Sequence, residues 1–401
     1  MSDTHRNDHH PWPVFLVFLR LGLTSFGGPV AHLGYFHNEF VVRRGWLSER
    51  SYADLIALCQ FLPGPASSQA GIALGLSRAG YAGALAAWLG FALPSALAMI
   101  LFAQGLASYG DAMAPGILHG LKVAAVAVIA QAIWSMGRKL CPDRPRITIM
   151  TIAACIALLA PSVWGQIGAI VMAGLAGSML SKPAPVSAHD PLPIPVNPHA
   201  ALGWLALFII LLAGLPIVAQ LAPSQSMRLM DACYRTGSLV FGGGHVILPL
   251  LQAEVMPMGW ISNASFLAGY GAAQAVPGPL LTFAAFLGAS MPGESGGWLG
   301  GIIALTAIFT PSFLLVTGAL PFWERMRHQA RMQAILAGIN AAVVGLLLAA
   351  LYQPVWIHAI YQPQDFGLAL VALMALMFWK LPPWLVVLGS STAGWLLATM
   401  S

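Results

Sequence analysis

Arg20-Leu-Gly-Leu-Thr-Ser-Phe26-Gly-Gly-Pro29 and Arg235-Thr-Gly-Ser-Leu-Val-Phe241-Gly-Gly-Gly244 are one phrase written twice, 215 residues apart. Glu39 recurs as Glu254 at the same offset, and Gly45-Trp46 recurs as Gly259-Trp260 at 214. At 214 again, Gln60, Pro63, Gly64 and Pro65 return as Gln274, Pro277, Gly278 and Pro279. Farther on, Pro94-Ser95 reappears as Pro311-Ser312, and Gly120 through Trp134 as Gly338 through Tyr352. Order and spacing hold over more than a hundred residues, so the chain is an internal duplication.

The solvent of this duplicated fold is lipid. Hydrophobic residues make up 58% of the 401, and charged residues only 8%, far below the roughly 25% of a soluble domain. Apolar runs lie near 12–40, 51–76, 79–108, 114–137, 145–161 and 165–181, then near 200–222, 228–256, 263–290, 297–321, 330–352, 366–379 and 383–400. Their lengths approach the roughly 20 residues that span a hydrocarbon core, and none alternates like a barrel strand. The expected fold is an all-α polytopic membrane protein of two inverted-topology repeats with broken or re-entrant helices. Its first half covers 1–181 and its second 200–401, the latter with an extra leading helix at 200–222. Between them, residues 182–199 hold six prolines, too many for a helix. The polar N-terminus lacks the features of a signal peptide, so the first run is expected to stay in the mature fold.

Seven runs separate the start of one copy from the start of the next. An odd number of crossings turns the second copy upside down, as in many secondary transporters. Parity survives if the first two runs are both re-entrant. With a cytoplasmic N-terminus, Arg78, Arg138, Lys139, Arg144, Arg146, Lys182, Arg325, Arg327, Arg331 and Lys380 all fall inside, as the positive-inside rule asks. Arg43, Arg44 and Arg50 join them only if 12–40 and 51–76 are hairpins, turning at Gly27-Gly28-Pro29 and Pro63-Gly64-Pro65. The net charge of +5 therefore reflects topology and implies no nucleic-acid partner.

Four Gly/Pro interruptions at membrane depth carry the functional reading: Gly27-Gly28-Pro29, Pro63-Gly64-Pro65, Gly242-Gly243-Gly244 and Pro277-Gly278-Pro279. Irregular backbone is tolerated there only inside protein or along a cavity. Kinked packing accounts for one such cluster, but not for four in register. The helix after each break offers free N–H groups and a positive dipole end, a setting for a small anion. Ser67, Ser68, Gln69, His245 and Thr282 follow the breaks and add donors. Arg20 and Arg235, each six residues before a Phe-Gly-Gly turn, are candidate counter-charges, or else snorkel or pair with carboxylates. Glu39 and Glu254 are read as coupling or structural charges. So is Lys122, which matches the neutral Asn340. His32, His37 and Glu39 fit no metal-binding pattern, the four cysteines form no CxxC, and there is no P-loop. No metal, cofactor or ATPase activity is expected, and neither is a catalytic residue.

At these residues the sequence resembles the chromate ion transporter family. The shared features are Phe26-Gly-Gly-Pro29 with Glu39, Phe61-Leu-Pro-Gly-Pro65 ahead of Gln69, Phe241-Gly-Gly-Gly-His245 and Ala275-Val-Pro-Gly-Pro279. The resemblance covers essentially the whole chain and implies antiparallel halves. It also implies chromate efflux across the bacterial inner membrane, with sulfate as isosteric competitor and resistance as the outcome. Gly244 in place of Pro29 departs from the pattern and leaves the equivalence of the two turns open. The residues alone do not rank chromate above sulfate or another oxyanion. A metal-dependent intramembrane enzyme built on His245 and Glu254, or a non-transporting subunit, are rival classes, and a homo-oligomer is compatible with any of them.

Overall fold

A computed structural model describes residues 10–109, 115–180, 196–241, 243–323, 326 and 329–400. Gly242, Lys182, Arg325, Arg327 and most of the linker 182–199 lie outside the described residues. The rest is helical, and no strand occurs among the described residues.

Seven helices make the first half: α1 (Pro11–Thr24), α2 (Gly28–Phe36, continued by a π-turn His37–Arg43), α3 (Glu49–Phe61), α4 (Ala66–Tyr109), α5 (Pro115–Leu140), α6 (Arg144–Leu159) and α7 (Val163–Leu180). After α8 (Pro198–Leu221) the order recurs as α9 (Gln225–Leu239), α10 (Ile247–Val255), α11 (Asn263–Ala275), α12 (Phe283–Ala289), α13 (Gly297–Ala319), α14 (Ala330–Ala350), α15 (Pro363–Met377) and α16 (Pro383–Met400). The two copies even share caps. Ser48 accepts from Ser51 N before α3, and Ser262 from Ser265 N before α11.

At the breaks the chain folds back instead of running on. Phe18 of α1 stacks on Phe40 with ring centroids 5.0 Å apart. A continuous helix would put 22 residues, about 33 Å, between them. Arg78 lies 4.8 Å from the Trp46 ring, although α3 and the first arm of α4 separate the two. In the second half Arg235 reaches Glu254 at 2.9 Å across the 240–243 break. Runs 12–40 and 51–76 are thus helical hairpins, with arms of 9 to 14 residues that reach half-way through a bilayer. Within α4 the chain reverses once more at Ala79 and Gly80, where the φ/ψ angles leave the helix.

Five helices are long and apolar enough to cross a membrane among the described residues: Ala66–Tyr109, Gly116–Leu140, Pro198–Leu221, Gly297–Phe322 and Ala330–Trp356. Their outer faces are apolar too. Ile210 on α8 is 64% exposed and Leu159 on α6 is 86% exposed, which suits lipid and would be unfavourable in water. The protein is an all-α multi-pass membrane protein.

The halves are interwoven. α5 leaves its own copy to pack against α15 and α16, and α14 packs reciprocally against α6 and α7. Glycines make both crossings close. A Cβ on Gly120 would lie 2.2 Å from the Ser390 carbonyl, and one on Gly338 would lie 2.0 Å from the Ala173 carbonyl. Gly116 meets Gly394, and Gly177 meets Gly338, in the same reciprocal sense. Small residues at such contacts let backbones approach where no hydrophobic force drives association.

Candidate functional site

The four breaks come together. Gly64 N donates to Val240 O at 2.6 Å, and Gly278 N donates to Ser25 O at 3.0 Å. These are the same bond made twice, since Gly64 corresponds to Gly278 and Ser25 to Val240. The second break of each copy is tied to the first break of the other. Gly28 completes the link: a Cβ there would stand 3.7 Å from Nε2 of His245.

Positive φ explains the glycines at these points. Gly27 and Gly28 sit at 102° and 78°, Gly64 at 130°, Gly243 at 143° and Gly278 at 101°, where an L side chain is strained. Close packing adds a second requirement. A Cβ on Gly278 would be 2.9 Å from Ser95 Oγ, and one on Gly64 would be 2.7 Å from Ser312 Oγ. Ser95 and Ser312 are the repeated Pro-Ser serines, each set against the Pro-Gly-Pro turn of the other copy. The sequence reading noted their recurrence but assigned them no part in the site.

Polar atoms are concentrated here, within an apolar core. Ser25, His32, Ser67, Ser68, Gln69, Thr282 and Ser312 are all buried. Ser25 Oγ, His32 Nδ1, Ser68 Oγ, Gln69 Oε1 and Ser312 Oγ have no hydrogen-bond partner among the described residues. An unpaired buried polar atom costs about 1–3 kcal/mol, so these five stand out in an otherwise apolar interior. His32 was weighed in the sequence only as a metal ligand. It lies instead under the first break, with Nε2 3.2 Å from Ser25 O and its ring edge-on to Phe91. His37, the other histidine of that set, is turned to Glu49 at 2.7 Å. His245 is placed beside the third break as expected, with Nδ1 3.1 Å from the Tyr270 hydroxyl.

Several donors counted for an anion are already engaged. The Gly64 and Gly278 amides bond the opposite break. The Gln69 amide donates to Pro63 O at 2.7 Å and the Thr282 hydroxyl to Pro279 O at 2.8 Å, closing the two Pro-Gly-Pro turns. Pro29, Pro65, Pro277 and Pro279 shape the turns and have no N–H to give. The amides of Gly28 and Val30 at the start of α2, and those of Gly244 and His245 opposite, lie at the beginnings of helical segments, where the first N–H groups have no partner within the helix.

The arginines are not equivalent. Arg235 is enclosed by two carboxylates, 2.6 Å from Asp231 and 2.9 Å from Glu254, so it is no free counter-charge for an anion. Its counterpart Arg20 is exposed on α1, without an ion pair among the described residues. Glu39, matching Glu254, is held by Arg43 and Arg44 instead. Lys122 belongs to another pocket, a cavity of about 360 Å³ between α5, α15 and α16. There it stands over the Tyr361 ring, beside a His119–Asp365 pair at 2.6 Å.

Comparison with known proteins adds a third view of the same duplication. The chromate transporter family profile matches residues 12–178 and again 227–395, one match on each copy of the repeat. The chromate transport protein of Pseudomonas aeruginosa is 29% identical over 96% of this chain and 91% of its own length. That of Cupriavidus metallidurans is 25% identical over 94% of this chain and 91% of its own. An uncharacterized transporter of Bacillus subtilis, YwrA, matches only 42% of this chain but 95% of itself, at 29% identity, so a single half is about its size. No solved structure matches. With both halves matched in tandem and relatives aligned from end to end, the chain belongs to the chromate transporter family.

Proposed function

We propose that this protein is a secondary transporter that exports chromate from the cytoplasm across the bacterial inner membrane and so confers chromate resistance. The observation that carries the proposal is the meeting of four helix breaks inside the apolar core, joined by two reciprocal backbone bonds. Such a centre offers a tetrahedral dianion the α2 amides from one side, those of Gly244 and His245 from the other, and the hydroxyls of Ser25, Ser68 and Ser312 around it. Dehydrating a dianion is costly, and pre-set amides and hydroxyls replace its water without reorganising. Every donor comes from a hairpin or from the helix it folds against. The donors come from both halves, so rocking one half against the other would open and close the pocket between them.

Inversion of the two copies supports this reading. With the hairpins re-entrant, α4, α5, α6, α7 and α8 cross between the two starts, an odd number. The second pair of hairpins then enters from the opposite face. Arg43, Arg44, Arg50, Arg78, Arg138, Lys139, Arg144, Arg146, Arg331 and Lys380 share the cytoplasmic side, whereas Arg228, in the first turn of α9, stands on the outer side. Cysteines placed at Arg43 and Arg50 should react with a membrane-impermeant thiol reagent only from the side that labels position 139. Labelling from the periplasm would reverse the topology.

Sulfate, of the same shape and charge, is the competing substrate, and import of sulfate or another oxyanion is the second reading on this scaffold. Everted and right-side-out vesicles loaded with labelled chromate or sulfate separate the two by rate and direction. Gly28→Leu and Gly243→Leu test the site itself. The space at Gly243 is open for 4 Å around, and at Gly28 the first neighbour is His245. A leucine there would fill the room the anion needs, so resistance should be lost while the protein still inserts. Full resistance in both variants would remove the breaks from the mechanism.

A further inference from the structure

The Asp231–Arg235–Glu254 group of the second half buries one negative charge more than it balances. Asp231 and Glu254 are 7% and 6% exposed and share the single guanidinium of Arg235, which is itself only 18% exposed. Two carboxylates against one guanidinium leave a net −1. In the first half the same glutamate is matched differently: Glu39 faces both Arg43 and Arg44. The difference traces to three substitutions between the copies. Asp231 stands where the first copy has Leu16, and Arg43-Arg44 is replaced by Pro257-Met258 ahead of the shared Gly-Trp.

An uncompensated carboxylate in the interior of a membrane protein is expensive, and a bound proton is the simplest way to remove the expense. Two carboxylates within reach of one centre commonly hold one proton between them. Other groups nearby do not supply the missing positive charge. On α9 there are Arg228, Cys233 and Tyr234, with Cys233 fully buried and Arg228 exposed, three residues before Asp231 and in no ion pair with it among the described residues. His245 precedes α10 and is bonded to Tyr270. α13 and α7 have no charged or histidine side chain, α8 has only His199 in its first turn, and α14 only the exposed Arg331.

Resting on the transport reading above, we infer that Asp231, Arg235 and Glu254 form a proton-binding site that couples anion movement to a proton gradient. The proton resides on a carboxylate oxygen of Asp231 or Glu254, and Arg235 holds the pair together in both protonation states. A change of access at the breaks reaches this site directly, because Arg235 and Glu254 sit on the two arms of the hairpin that carries Gly243 and His245. Glu39, doubly paired, does not take part.

Two measurements test it separately. Infrared difference spectra of purified protein between acid and alkaline buffer should show a protonated-carboxyl band that disappears in Glu254→Gln and in Asp231→Leu. The leucine copies the first half's own Leu16, which makes it a gentle substitution for this fold. A band unchanged in both variants, or absent from the wild type, overturns the site. In proteoliposomes with the membrane potential clamped, wild-type flux of labelled chromate or sulfate should respond to an imposed pH gradient. Both variants should keep anion–anion exchange and lose that response. Variants that still respond overturn the coupling role. A wild type that moves neither anion, yet shows the carboxyl band, refutes the transport reading and leaves the proton site standing.

Discussion

Chromate flux in Gly64→Ala and Gly278→Ala vesicles is expected to fall roughly 10- to 100-fold per inserted molecule. The added methyl would have to adopt φ values of 130° and 101°, a cost of roughly 1–2 kcal/mol for an L residue. It would also press on the serine hydroxyl of the other half, at 2.7 Å for Ser312 and 2.9 Å for Ser95. Either strain or displacement of about 1.4 kcal/mol is a factor of ten in rate if it falls on the step that changes access. The matched pair matters, because the same change in either half should give the same defect. Gly80→Ala is the control. Its φ is 59°, so backbone strain is similar, but a Cβ meets nothing within 4 Å and the residue lies at the far end of the hairpin. Labelled-chromate uptake normalised to membrane-inserted protein distinguishes them. Equal loss in Gly80→Ala would assign the effect to general strain.

Interweaving of the halves produces the second large effect. Gly120→Leu and Gly338→Leu should prevent assembly, with little or no monodisperse protein recovered in detergent. The nearest atoms to the new side chain are main-chain carbonyls at 2.2 and 2.0 Å, which cannot rotate away. Alanine at either site should lower stability by at least about 1–3 kcal/mol, the usual cost of overpacking. Gly203→Ala and Gly214→Ala, on the lipid-facing α8 with nothing within 4 Å, should behave as wild type. Thermal unfolding followed by size exclusion reads out all four positions. Because α5 and α14 each complete the other copy's bundle, the defect in Gly120→Leu should spread to the second half, detectable as protease sensitivity near α15 and α16.

Much of this architecture was readable in the chain. Glycine and proline state where a helix must stop, so the Phe-Gly-Gly and Pro-Gly-Pro clusters announced the hairpins. The stranded Arg43, Arg44 and Arg50 indicated which runs turn back. Pairing across space is another matter. That Gly64 bonds Val240 and Gly278 bonds Ser25 follows from the two-fold meeting of the copies, which no local pattern encodes. The exchange of α5 and α14 left only a hint, the recurrence of Gly120 as Gly338 on otherwise plain apolar helices. Asp231 was missed because it lies in a run read as apolar. Its signal was the i,i+4 spacing to Arg235, visible once that run is drawn as a helix. Arg235, expected either to face the anion or to pair with a carboxylate, pairs with two. His32 was considered as a metal ligand because it shares a stretch with His37. One helical turn and a half later, those two rings face different surroundings.

Chromium itself provides the most direct test. Crystals grown with chromate and measured above the chromium absorption edge should show an anomalous peak between the Gly28 and His245 turns, enclosed by all four breaks. A chromium position on a lipid-facing surface or in a loop, with the space between the breaks empty of it, would contradict the proposal that the broken helices form the dianion site.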